Sequence, residues 1–69
     1  MILRDLEEGD VFYRVVGTYG NVLPTALILE TKGDLLSSAR VPMSGIVITI
    51  PTDFRCVKVG TTGDNHGND

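Results

Sequence analysis

The chain has 69 residues, with one cysteine, one histidine and no tryptophan. A single cysteine excludes a disulfide within the chain, and one cysteine with one histidine leaves too few soft ligands for a clustered metal site. We therefore expect neither a cofactor nor a metal. A domain this small buries only about 60% of the surface that its unfolded chain exposes. Self-association is the remaining way to enlarge its core.

The sequence also has no long amphipathic helical pattern, and short apolar runs take its place. Ala26–Leu29 is wholly apolar, and Ile46–Ile50 is apolar except for Thr49. A strand with one exposed face would alternate apolar and polar residues, so these runs predict strands that are covered on both faces. With no helix to supply the second cover, we expect a closed barrel, a second copy of the chain or another protein.

Five strand-like segments recur at spacings of about ten residues, separated by turns rich in glycine and proline. This pattern is typical of a small all-β barrel or a rolled antiparallel sheet, with an SH3-like barrel as the nearest architecture and an OB-like roll as the next. We expect a meander preceded by one short helical turn at Asp5–Gly9. Residues 1–60 would form the single domain and residues 61–69 a disordered polar tail. The predicted strands are Asp10–Val16, Thr25–Thr31, Leu35–Val41, Ile46–Ile50 and Phe54–Val59.

The charges of the predicted domain nearly cancel. Residues 1–60 carry seven acids and six bases, without the basic excess of a duplex-DNA binder. Neither apolar run approaches the roughly 18 residues that a membrane span needs. The charges in Met1–Glu8 are not those of an ordinary signal peptide. An unpaired cysteine and no export signal favour a reducing cytoplasm, which would be the host cytoplasm for a viral protein.

No set of residues suits catalysis. A nucleophile needs a base and an orienting group within hydrogen-bond reach, yet His66 lies in the polar tail and Cys56 in the middle of a strand. Helix capping and a solvated surface explain the four acids between residues 5 and 10. Residues 64–69 resemble a calcium loop but lack the folded frame that follows one. We predict a protein without catalytic or metal-binding residues, and not an enzyme.

The loop Gly17–Asn21 is the most promising binding segment. Its two glycines permit a sharp turn, which would expose Tyr19 as an interface anchor. Three arginines could line a neighbouring surface. The predicted binding residues are Arg14, Thr18, Tyr19, Asn21, Arg40 and Arg55, and the predicted oligomer interface is Ile46, Ile48 and Ile50.

The two ends of the domain carry recognisable patterns. The opening contains Leu3-x-Asp5-Leu6 followed by Gly9-Asp10-x-Phe12, and the close contains Pro51-x-Asp53 followed by a strand. Together these segments, about twenty residues, resemble the ends of small phage-encoded β proteins. The resemblance implies a viral or mobile-element origin. Some phage proteins of this size block bacterial defence or bind host proteins.

Three functions follow as hypotheses. The first is a non-enzymatic interaction protein that self-associates and binds a host or viral protein, with an anti-defence role suggested by the resemblance. The second is an oligomeric sponge for an anionic small ligand such as a nucleotide, held between subunits by Thr18, Tyr19, Asn21 and Arg40. The third is a single-stranded nucleic-acid-binding barrel. The third is not favoured, because the chain has four aromatic residues and the core needs some of them.

Overall fold

The chain folds into one antiparallel sheet of five strands, which confirms the predicted all-β class. The structure is a computed structural model that describes residues 1–61. Of the predicted polar tail, residues 61–69, Thr61 is the last residue of a strand, and the remainder, with His66 and the calcium-like segment, lies outside the described residues. The strands are β1, Asp10–Val16; β2, Asn21–Thr31; β3, Leu36–Arg40; β4, Val47–Pro51; and β5, Cys56–Thr61.

Strand β2 begins earlier than the sequence predicts, because it passes through Pro24. Its pairing with β1 steps from Tyr13↔Ala26 to Val15↔Val22, so residues 23–25 of β2 lie opposite Arg14 alone. Such a bulge bends a strand and leaves a residue out of the ladder, which is a position where proline is tolerated. The bend lets one long strand take part in the rolled sheet.

The strand order is β4-β3-β2-β1-β5, which differs from the predicted simple meander at its last step. After β4 the chain turns at residues 51–54, where the Phe54 N–H donates to the Pro51 carbonyl at 3.0 Å. It then crosses to the far side of β1, with Cys56 opposite Arg14. In the described residues β4 and β5 do not pair, so the sheet is rolled and not closed.

The inner face of the sheet and the amino-terminal segment form the core. The predicted helical turn is present near the amino terminus, but as a 3₁₀ turn at Leu3–Asp5 instead of Asp5–Gly9. The Lys32 ammonium donates to the Leu6 carbonyl at 2.7 Å and to the Arg4 carbonyl at 3.2 Å, which fixes this segment over the sheet. The buried core residues are Leu3, Leu6, Phe12, Leu27, Leu29, Ala39, Ile50 and Cys56.

A buried carboxylate links the start of β1 to the end of β5. Asp10 is 3% exposed. Its Oδ2 accepts from the Glu7 N–H at 2.8 Å, and its Oδ1 accepts from the Thr61 hydroxyl at 3.0 Å. The Lys58 ammonium lies 3.6 Å from Oδ2. Burial alone would raise the pKa of Asp10, but these donors and the lysine charge outweigh it and hold the pKa below 3.8.

A second buried polar network joins the β2–β3 turn to the segment after β4. The Thr52 hydroxyl donates to the Gly33 carbonyl at 2.9 Å and lies 2.7 Å from Ser37 Oγ, which accepts from the Gly33 N–H at 3.2 Å. A hydroxyl has one proton. Since Thr52 gives its proton to a carbonyl, Ser37 must donate to Thr52. The contacts therefore form a closed ring.

Candidate functional site

Strand β4 is an outer strand of the sheet, and its hydrogen bonds to β3 can be assigned residue by residue. The Val41 N–H donates to the Ile46 carbonyl at 2.8 Å, and the Thr52 N–H donates to the Leu35 carbonyl at 2.9 Å. In an antiparallel ladder, every second residue directs both backbone groups to the same neighbour. The even-numbered residues of β4 therefore face β3, in agreement with the pairing register.

The odd-numbered residues of β4 direct their backbone groups away from β3. Val47 and Thr49 each present an N–H and a carbonyl to this side. Pro51 has no N–H, and its carbonyl already accepts from the Phe54 N–H. Within residues 1–61, no strand pairs with β4 on this side. The free backbone edge is thus two residues long and bounded by proline.

The side chains around this edge are uncharged, and several are apolar and exposed. Residues 41–52 include no Asp, Glu, Lys or Arg. Met43 is 95% exposed, Ile46 59% and Val47 56%. Natural proteins protect a free edge with charge, a proline, a short strand, a bulge or a covering segment. Of these, the described residues give β4 only a short strand and Pro51. We call this surface the β4 edge; it comprises the outward backbone groups of Val47 and Thr49 with the side chains of Met43, Ile46 and Val47.

The opposite edge of the sheet, β5, has a covering segment, a bulge and a charged side chain, none of which protects β4 within residues 1–61. The Cys56 N–H donates to the Met1 carbonyl at 3.0 Å, and Ile2 forms a bridge with Arg55. Farther along, the pairing of β5 with β1 shifts by one residue at Val59, next to Lys58. A covering segment, a bulge and a charge all hinder strand addition.

The predicted oligomer-interface residues are distributed between the core and the surface. Ile50 is 3% exposed and belongs to the core of this chain, and Ile48 is half-buried and packs against that core. Ile46 alone of the three is exposed. The structure shows that side chains 48 and 50 point inward because residues 37 and 39 of β3, their partners, point inward.

Four of the six predicted binding residues lie near one end of β1. Tyr19 is 92% exposed, with Thr18 and Asn21 exposed beside it. The Arg55 guanidinium donates to the Gly17 carbonyl at 3.2 Å. An open groove of about 360 Å³ adjoins this turn and is lined by Val15, Val16, Gly17, Asp53, Phe54 and Arg55.

The two other predicted arginines differ in their surroundings. Arg14 is half-buried, and its Nε is buried without a hydrogen-bond partner in the described structure. Arg40 forms an ion pair with Glu30 at 2.6 Å and lies opposite Ile28. Ile28 is seven residues along β2 from Asn21, or roughly 20 Å at the rise of a strand. The structure therefore does not bring Arg40 to the loop of Tyr19.

Cys56 is 2% exposed. Burial is the main cause that raises the pKa of its thiol, so the reactive thiolate is disfavoured. No three His, Cys, Asp or Glu side chains of the described chain come together as metal ligands. No helix in residues 1–61 is long and apolar enough to cross a membrane.

Comparison with protein families, curated proteins and solved structures finds no match to this chain. The functional argument therefore depends on the surface itself. Sequence reasoning predicted apolar contacts in the segment 46–50 but missed the free backbone of β4. The available signal was the absence of charge over residues 41–52, together with the closing Pro51.

Proposed function

We propose that this protein is a non-enzymatic interaction protein that binds another polypeptide chain along the β4 edge. The observation that carries the proposal is the free backbone of Val47 and Thr49, set among exposed apolar side chains and without a protecting charge. An extended segment added to a free edge gains main-chain hydrogen bonds. Its side chains then lie beside those of the edge strand.

The exposed side chains support a polypeptide partner. Met43 projects almost fully into solvent in the turn before β4, and methionine adapts its shape to the surface that it meets. Ile46 and Val47 add exposed apolar side chains on the two opposite faces of the sheet at the start of the strand. The patterns at the two ends of the domain favour a viral or mobile-element accessory protein, whose partner would be a host or viral protein. An anti-defence role belongs to this proposal.

A matched pair of variants tests the proposal. Val47 and Val59 are 56% and 55% exposed and lie on opposite edge strands. We would express tagged wild type, Val47→Lys and Val59→Lys in bacteria, cross-link them in the cells, and identify the attached chains by mass spectrometry. A lysine beside the β4 edge should remove the attached chains, and the Val59→Lys control should keep them. Equal recovery from both variants would contradict the proposal.

A second candidate function is the binding of an anionic small ligand in the groove beside Arg55. The supporting observation is that Arg55 lines this groove and, within the described residues, forms no ion pair with a carboxylate. A thermal-shift series with ATP, comparing wild type and Arg55→Ala, tests it. A ligand that binds the folded state raises the melting temperature, and no rise at millimolar ATP would count against the groove.

Nucleic-acid binding has less support. Single-strand binders stack bases on exposed aromatic rings. Here Phe12 is buried, Tyr13 and Phe54 are half-buried, and Tyr19 is the exposed ring of the described chain. One exposed ring does not make a stacking surface.

A further inference from the structure

We infer that the polypeptide bound along the β4 edge is a second copy of this chain, paired antiparallel so that Val47 of each copy lies opposite Thr49 of the other. This inference rests on the proposed function, because it names the occupant of the same edge. It commits to one register, which follows from the backbone groups available.

In this register the free groups of the edge pair completely. The two-fold axis passes between the Ile48 residues of the two copies. Val47 of one copy then exchanges two hydrogen bonds with Thr49 of the other, and symmetry repeats the exchange. Four hydrogen bonds form, and no outward N–H or carbonyl of Val47 or Thr49 is left over.

The neighbouring registers pair less completely. A shift that places Thr49 opposite Thr49 puts Val47 opposite Pro51, which has no N–H to donate. The opposite shift places Thr49 against Gly45, whose N–H already donates to the Val41 carbonyl at 2.7 Å. Both shifts leave strand groups unpaired, which is costly where water is excluded. Pro51 and Gly45 thus select the register centred on Ile48.

The same register supplies contacts for the apolar side chains. On the inner face, Ile46 of one copy lies opposite Ile50 of the other, and Ile48 lies opposite Ile48. Directly opposed side chains on one face are close enough to pack. Ile46, which is 59% exposed in the single chain, would be covered by this contact. Of the predicted interface residues, Ile46 and Ile48 therefore gain contacts between copies, whereas the Ile50 side chain remains in the core of its own chain.

The charge pattern favours a second copy over a foreign strand. A two-fold interface brings a segment against itself, so a charge near the axis would meet its own equal. Residues 41–52 have no charge, and self-pairing meets no such repulsion. An edge that selected a foreign partner would gain specificity from complementary charges, and this edge has none to offer. The strands are short, so the interface belongs among the small and weak ones.

Light scattering during gel filtration is the first test, with wild type, Val47→Lys and Val59→Lys loaded from about 10 µM to about 1 mM to span weak affinities. We expect the mass of the wild type and of Val59→Lys to rise toward that of a dimer with concentration. Val47→Lys should remain a monomer, since each dimer would bring two lysines to the shared edge.

Cysteine cross-linking then tests the register. Opposed residues in an antiparallel pair are about 5.5 Å apart at Cα, within the range of a disulfide. Under mild oxidation, a mixture of Val47→Cys and Thr49→Cys chains should form the mixed disulfide dimer, and each variant alone should form little. The wild type, whose one cysteine is buried, is the control. A disulfide dimer of Thr49→Cys alone would establish the shifted register and overturn the inference.

The remaining outcomes separate this inference from the proposed function. A wild type that stays monomeric, yet loses its cross-linked partners through Val47→Lys, would overturn the second copy and leave the proposed function standing. A monomer whose Val47 and Thr49 amides resist hydrogen exchange would mean that the chain covers its own edge, which overturns both. A dimer unchanged by Val47→Lys would use another surface and would also overturn the inference.

Discussion

Replacing Thr52 with valine removes one hydroxyl from the interior and tests the ring of contacts among Ser37, Thr52 and Gly33. Valine has nearly the shape of threonine, so the change leaves packing almost intact. Thr52 is fully buried and Ser37 is 4% exposed. After the substitution, the Ser37 proton and the Gly33 carbonyl both lose their partner.

The magnitude follows from these two orphaned groups. A buried polar group left without a partner costs about 1–3 kcal/mol. Gly33 is half-buried, so water can partly replace the lost donor, and we expect a total loss of about 2 kcal/mol. A chain of this length has a free energy of unfolding of about 3–10 kcal/mol, so the loss is a large fraction. The melting temperature should fall by about 8–16 °C.

Urea unfolding of wild type, Thr52→Val, Ser37→Ala and the double variant would measure this loss and the coupling between the two hydroxyls. The double variant should be more stable than the sum of the single losses predicts, by about 1 kcal/mol, because each single change leaves its partner unsatisfied. A loss below about 0.5 kcal/mol for Thr52→Val, or strictly additive losses, would refute the closed ring.

Three further predictions concern single residues. The folded-state pKa of Asp10 lies below its unfolded value, so the stabilisation that Asp10 provides is present above pH 3.8 and is lost as pH falls through the folded pKa. Asp10→Asn should therefore be less stable than wild type at pH 7 and should lose less further stability in acid. Urea unfolding from about pH 7 to pH 2 measures both effects. A methyl group on Gly33 would lie 2.3 Å from the Leu36 carbonyl oxygen, whereas one on Gly60 would meet nothing within 4 Å. Gly33→Ala should therefore lower the free energy of unfolding by about 2 kcal/mol or more, and Gly60→Ala should change it by less than about 0.5 kcal/mol. Equal effects of the two substitutions would refute the clash at Gly33. The Cys56 thiol should react with a thiol reagent at least about 100-fold more slowly in the native protein than in urea, since it is exposed only when the structure opens; fast native labelling would contradict its burial.

The local elements could be predicted from the sequence where pattern and turn residues agree. Strand β1 has the predicted bounds, Asp10–Val16, because Gly9 and Gly17 enclose a run rich in β-forming residues. The sequence predicts β2 from Thr25 because proline is typical of a strand end, whereas the strand begins at Asn21 and passes through Pro24. Its place in a bulge depends on the register with β1, which no local pattern encodes.

The pairing of strands that are distant along the chain could not be predicted from local sequence patterns. The position of β5 beside β1 depends on contacts between distant residues, such as Asp10 with Lys58 and Thr61. In the run 46–50, where nearly every residue is apolar, alternation cannot tell the inner face from the outer. The pairing of Ile50 with Ser37 decides it. For this reason the sequence indicates the segment 46–50 as a candidate interface but cannot tell which of its residues are exposed and which are buried.

If two copies pair through β4 as inferred above, the unequal protection of β4 and β5 would limit the size of the assembly. Head-to-tail growth of a filament needs two free edge strands on every subunit. The β5 edge is not free, because it is protected by Met1–Leu3, the bulge at Val59 and the charge of Lys58. A pairing between two β4 strands would use the free edge strand of both copies at once. Two chains paired in this way would make a finite ten-stranded sheet, and a third chain would find no free β4 strand to join. The apolar edge, which would be an aggregation hazard in an isolated chain, would thereby be covered within a dimer.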